Sequence, residues 1–190
     1  MDIDKSKEIS SGKQSKTYDI LKTNEFFKGV KDEELQKLAE TSQIVKYKIG
    51  LPLSDNNLIQ DKILLILKGS CRLLNTSSKE ITTIAKLMQG SFIGLSSLLR
   101  SAPCEKIIAS TEVIALTISD KDILNLYKND IYFKDACKKM LLVNELVGLT
   151  EIMISKSKRS DINIKAAFNA IVKCCKLELL DNNKLLVSDQ

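Results

Sequence analysis

Ile63-Leu64-Leu65-Ile66-Leu67-Lys68-Gly69-Ser70-Cys71-Arg72-Leu73-Leu74 decides the fold. Five consecutive apolar residues closed by Lys68-Gly69 read as a buried strand, and Cys71–Leu74 reads as the strand that follows the turn. Gly69 stands where a tight turn commonly needs a positive φ. On the N-terminal side, Ile44-Val45-Lys46-Tyr47-Lys48 alternates with period two and ends near Gly50. On the C-terminal side, Ile81–Leu87, Ile107–Thr111 and Val113–Ile118 continue the pattern of short apolar runs. Many short strands with polar turns between them predict a small barrel or sandwich.

Helical periodicity frames this β region. Asp32 is placed to cap a helix carrying Leu35, Leu38 and Ala39, with Phe26 and Phe27 packing its entry. Ser119 or Asp120 caps a helix with Ile123, Leu124 and Leu126. A longer helix is expected from Phe133 to about Ile154, its stripe formed by Cys137, Leu141, Leu142, Leu146, Leu149 and Ile152. Ser155–Ser160 reads as a linker, Ile164 to about Leu179 as a last helix, Asp181-Asn182-Asn183 as a turn, and Lys184–Val187 as strand-like. Residues 1–16 are polar and are expected to carry no structure. The division that follows is a tail at 1–16, one domain at 17–155 with its β region at about 42–119, and a short helix-strand extension at 156–190.

This order resembles the cyclic-nucleotide-binding domain family. Five segments carry the likeness in the right sequence: Phe26-Phe27 with Glu34–Ala39, Tyr47–Gly50, Leu64–Ser70, Gly90-Ser91-Phe92-Ile93-Gly94, and Ala109–Leu116. The resemblance covers roughly 24–155 and implies a mainly β fold with flanking helices, a β-roll of the double-stranded β-helix or jelly-roll type. It also implies a ligand cassette that starts at Gly94, where Leu95–Leu99 can form one helical turn and backbone N–H groups can meet an anion. Cassette residues taken from it are Gly94, Leu95, Ser96, Ser97, Arg100, Pro103, Cys104 and Lys106. In the family a Glu after the glycine holds the ribose and an Arg further on neutralises the cyclic phosphate. Here the first position is Leu95 and the second falls at Pro103 or Cys104. Each charge-assisted hydrogen bond contributes roughly 1.5–3 kcal/mol, so losing both weakens binding by about two to four powers of ten. Cyclic nucleotide is therefore not the favoured ligand. Ser96 and Ser97 offer hydroxyls, and Arg100 and Lys106 either meet an anion or are solvated loop charges, one of them pairing with Glu105.

The cassette Ser96–Arg100 with Pro103-Cys104-Glu105 also resembles the variant in the N-terminal regulatory domain of cyanobacterial peptidase-containing ABC exporters, and residues 164–187 resemble the short extension that follows it there. That likeness implies transporter domains in the same polypeptide as partners. The other member of the fold family to weigh is a catabolite-activator-type transcription regulator. Ile164–Leu179 lacks the Arg/Gln/Ser-rich recognition helix that a major-groove reader carries. Leu142, Leu146 and Leu149 offer a stripe on which two protomers can pair.

Composition narrows the chemistry. The chain has no His, so Ser–His and Cys–His nucleophile pairs and mixed Cys/His zinc sites are excluded. There is no GxxxxGK[ST] or GxGxxG loop, so no catalytic, metal or cofactor residue is assigned. The net charge of +5 comes almost wholly from Lys, Arg occurring only at Arg72, Arg100 and Arg159, which argues against a base-reading or phosphate-clamping nucleic-acid surface. Cys71, Cys137, Cys174 and Cys175 sit in apolar patterns and read as reduced core thiols, while Cys104 is placed in a loop. No stretch reaches the roughly 20 apolar residues of a membrane span, and the polar N-terminus is unlike a secretory signal. The expected location is cytoplasmic.

Overall fold

The computed structural model describes residues 13–75, 81–140, 143–157 and 162–174. Two helices enter the fold. Helix α1 (Lys13–Thr23) starts four residues before the expected boundary. After a 3₁₀ turn at Glu25–Phe27, α2 spans Asp32–Thr41. Its cap residue is Lys31 rather than Asp32; Asp32, Glu33 and Glu34 occupy the first turn instead, where carboxylates suit the positive end of the helix.

Among the described residues eight strands follow: β1 (Gln43–Tyr47), β2 (Pro52–Ser54), β3 (Lys62–Lys68), β4 (Cys71–Asn75), β5 (Thr82–Leu87), β6 (Phe92–Ile93), β7 (Ile107–Ala109) and β8 (Val113–Ser119). They form two antiparallel four-stranded sheets, ordered β1-β8-β3-β6 and β2-β7-β4-β5. The β3 run is apolar throughout because both its faces are covered. Leu64 and Ile66 point between the sheets with Leu53, Cys71, Leu73, Ile93, Ile107 and Ala115. Ile63 and Leu65 point outward into a second core with Leu21, Phe27, Leu35, Leu116, Ile123 and Phe133. Gly69, at φ 93°, turns β3 into β4 so closely under Glu112 that an added Cβ would lie 2.2 Å from its carbonyl oxygen.

The short helix α3 (Leu95–Arg100) lies between β6 and β7. After β8, Ser119 caps α4 (Asp120–Asn129) by accepting from the Asp122 N–H, and Asp130 caps α5 (Ile131–Lys139) by accepting from the Phe133 N–H. The single long helix expected over Phe133–Ile154 is two. Helix α5 ends at an extended Met140 and α6 spans Val143–Ser157. The two halves serve different cores: Phe133 and Cys137 face the helix-side core, whereas Leu146 joins Ile84 and Phe168. Leu146 is thus buried within the chain, and Leu149 and Ile152 are exposed. Ser155–Ser157, expected as linker, belong to α6. Helix α7 is described over Ile164–Cys174, and Cys174 is exposed rather than a core thiol. The rest of the helix expected to about Leu179, Cys175, Leu141, Leu142, the turn expected at 181–183 and the strand expected at 184–187 lie outside the described residues. Among the described residues no helix is long and apolar enough to cross a membrane.

Candidate functional site

The turn from β6 into α3 is set by Gly94, whose φ of 90° favours glycine and whose added Cβ would press on Ile63 Cδ1 at 3.1 Å. Helix α3 closes at Ser101, itself left-handed at φ 54°, and the chain doubles back through Pro103 toward β7. From there, residues alternate in depth. Glu105, Ile107 and Ala109 are buried, and Cys104, Lys106 and Ile108 are half-buried.

Glu105 is therefore not a loop charge pairing in solvent. It is 3% exposed. Its Oε1 accepts from the Gly94 N–H at 2.5 Å and from the Ser97 hydroxyl at 3.3 Å, while Ser54 Oγ donates to its backbone carbonyl at 3.2 Å. Burial pushes its carboxyl up to about 7, against the opposing pull of the Gly94 N–H and the Ser97 hydroxyl. Ser97 also accepts from the Cys104 N–H at 3.2 Å and lies 3.4 Å from Cys104 Sγ. One serine hydroxyl thus joins the thiol to the buried acid.

A cavity of about 400 Å³ opens beside this knot. The cassette supplies Arg100, Pro103, Cys104 and Lys106; β4 supplies Leu73, Leu74 and Asn75; α6 roofs it with Val147, Gly148 and Glu151. Of the cassette residues named from sequence, these four meet at the cavity. Leu95 does not line it, and packs into the helix-side core with Leu98. Gly94 and Ser97 are tied to the cavity wall through Glu105 and Cys104. Ser96 is buried, and its hydroxyl has no hydrogen-bond partner among the described residues. Sequence reading missed the asparagines Asn56 and Asn75, the α6 roof, and above all Glu105. The signal for Glu105 was present, since it shares a period-two face with Ile107 and Ala109. No cluster of metal-ligating side chains occurs among the described residues.

Two antiparallel four-stranded sheets packed on a shared core, a glycine-started helical turn inserted between β6 and β7, and helices at both ends define a β-roll of the cyclic-nucleotide-binding type. The family model described as "Cyclic nucleotide-binding domain" matches residues 45–130 of the chain. No curated protein matches the chain. Among solved structures, a putative cyclic nucleotide-binding protein from Geobacter metallireducens is similar at 21% identity and TM-score 0.54, over 64% of this chain and 89% of that one. The regulatory domain of Toxoplasma gondii protein kinase A with cAMP is similar at 18% identity and TM-score 0.57, over 65% and 49%. The regulatory subunit of a cAMP-independent protein kinase A from Trypanosoma cruzi, bound to guanosine, is similar at 16% identity and TM-score 0.55, over 64% and 47%. The chain spans about half the length of these two regulatory proteins. At such identities the likeness establishes the shared fold.

Proposed function

We propose that the chain is a non-catalytic regulatory module whose cassette does not grip a cyclic nucleotide in the family's way, and which acts on an attached or partner ABC transporter. The observation that carries the reading is the cassette itself. By the resemblance, the position of the ribose-binding acid is Leu95, which lies in the core, and the position of the phosphate-binding arginine is Cys104 or Pro103, which line the cavity without a guanidinium. An occupant of the cavity touches both the cassette and α6. Its arrival or departure is a way to shift α6 and, through the Leu146–Phe168 contact, α7. The guanosine in the T. cruzi protein illustrates a ligand without phosphate on this fold, which would forgo the contacts that Leu95 and Cys104 no longer make. The transporter partner is supported by the resemblance of the cassette and of the 164–187 extension.

Isothermal titration with cyclic AMP and cyclic GMP tests this. The expected result is no binding at micromolar concentration, in line with the roughly two to four powers of ten lost with the two charged contacts. Micromolar or tighter affinity for either would overturn the reading.

A further inference from the structure

On the proposed reading the missing acid and arginine weaken the hold on a cyclic nucleotide, and the knot beneath the cavity adds an opposing element. Resting on the reading that the cassette does not hold a cyclic nucleotide in the family's manner, we infer that Glu105 is the residue that keeps a phosphodiester out, because its carboxylate already occupies the polar groups the cassette would turn toward one.

Three observations converge on it. First, the Gly94 N–H and the Ser97 hydroxyl, at the start and first turn of the cassette helix, both end on the same oxygen, Glu105 Oε1, at 2.5 and 3.3 Å. Second, Glu105 is held inside the fold: its side chain is buried, its carboxyl is tied to Gly94 and Ser97, and its backbone carbonyl accepts from Ser54. Third, Cys104 and Glu105 share Ser97, with Cys104 Sγ 3.4 Å from the hydroxyl that donates to Glu105. A cation introduced at position 104 would therefore find an internal carboxylate within reach before it found a ligand. A phosphodiester placed there meets donors that are already satisfied and, at a pH above about 7 where Glu105 is ionised, a like charge as well. Discrimination by a repulsive group is as effective as discrimination by a lost contact.

The test is a gain of function in the full chain, with cyclic AMP as the probe. At pH 8, where Glu105 is ionised, cyclic AMP is titrated into the unmodified protein, Cys104→Arg, Cys104→Arg/Glu105→Gln and Cys104→Arg/Glu105→Ala, with thermal melts to establish that each is folded. Glu105→Gln keeps the shape and the acceptor for Gly94 while removing the charge, so a double variant is available even where the alanine one does not fold. The expected result is that Cys104→Arg alone gains little and that a folded double variant binds at least about tenfold more tightly than Cys104→Arg. A gain below that, including no binding by either, overturns the inference. Micromolar binding by the unmodified chain sinks the proposed function as well. Weak binding by the unmodified chain with no difference between the single and double variants sinks only the role of Glu105. A measurement on the unmodified chain stands beside these: the Gly94 amide resonance is expected to stay in place on addition of millimolar cyclic AMP, and its displacement would count against a seat already taken.

Discussion

The sheet β1-β8-β3-β6 and the segment 94–106 lie next to each other in the chain and are built on opposite terms. The central strands of the sheet, β3 and β8, are sealed on both faces by aliphatic and aromatic side chains. On its helix side Phe27 stacks on Phe133 at 5.6 Å, and Phe26 meets Phe133 edge-on at 5.3 Å. The segment 94–106 buries a carboxyl, two serines and a left-handed turn at Gly94 within a few residues. Apolar burial gains free energy without asking for geometry, whereas buried polar groups cost free energy unless each finds its partner. Apolar contact holds the first region together, and partnered polar groups hold the second.

The comparison breaks if truncation of the sealed region is cheap. Phe133 is fully buried, and Phe133→Ala is expected to cost about 3–5 kcal/mol by lost transfer energy and the cavity left behind. Denaturant unfolding measures it, and a cost under about 1 kcal/mol would mean that the helices do not pack on the sheet as described.

The second region is expected to show itself in pH dependence. Glu105 moves from an ordinary 4.5 to about 7 on folding. Between those values the folded chain binds more protons at this group than the unfolded chain does. Its contribution is therefore fully present below about 4.5 and is lost as the pH rises to about 7, by roughly 3 kcal/mol. Glu105→Gln should remove that slope and leave the protein more stable than the parent at pH 8. Unfolding midpoints compared at pH 5 and pH 8 decide it, and equal slopes for parent and variant would show that the carboxyl is solvated.

The same contrast explains what the sequence disclosed. The strands β3, β4, β5 and β8 were legible because apolar runs and alternation are imposed directly by burial on two faces or one. Ser119 announced α4 because a hydroxyl before an apolar stripe has a local partner, the Asp122 N–H. The two-residue β6 and three-residue β2 are too short to show a period; β6 exists because the seven-residue β3 pairs with it, and β2 because the equally short β7 does. The break at Met140 was hidden because Cys137 and Leu146 continue one apolar stripe on paper, yet they answer to different cores. Within the site, Arg100, Pro103, Cys104 and Lys106 were nameable from the cassette. The burial of Glu105 and the α6 roof depend on contacts between segments far apart in the chain, such as Gly148 with Arg100.

That last pair gives the smallest expected effect and the sharpest statement about the roof. Gly148 lies within α6, where a glycine costs roughly 0.5–1 kcal/mol relative to alanine through backbone entropy. A Cβ added there would meet Arg100 Nη1 at 4.0 Å, an ordinary contact with the end of a flexible side chain. Gly148→Ala should therefore raise stability by about 0.5–1 kcal/mol, read as a higher thermal midpoint. A lower midpoint would mean that α6 presses more closely on the cassette than 4.0 Å allows, and that the missing side chain is needed for the roof to close. The sign of one methyl group's effect thus separates a roof resting at ordinary contact distance from one drawn down onto Arg100, and with it how freely α6 can follow whatever occupies the cavity.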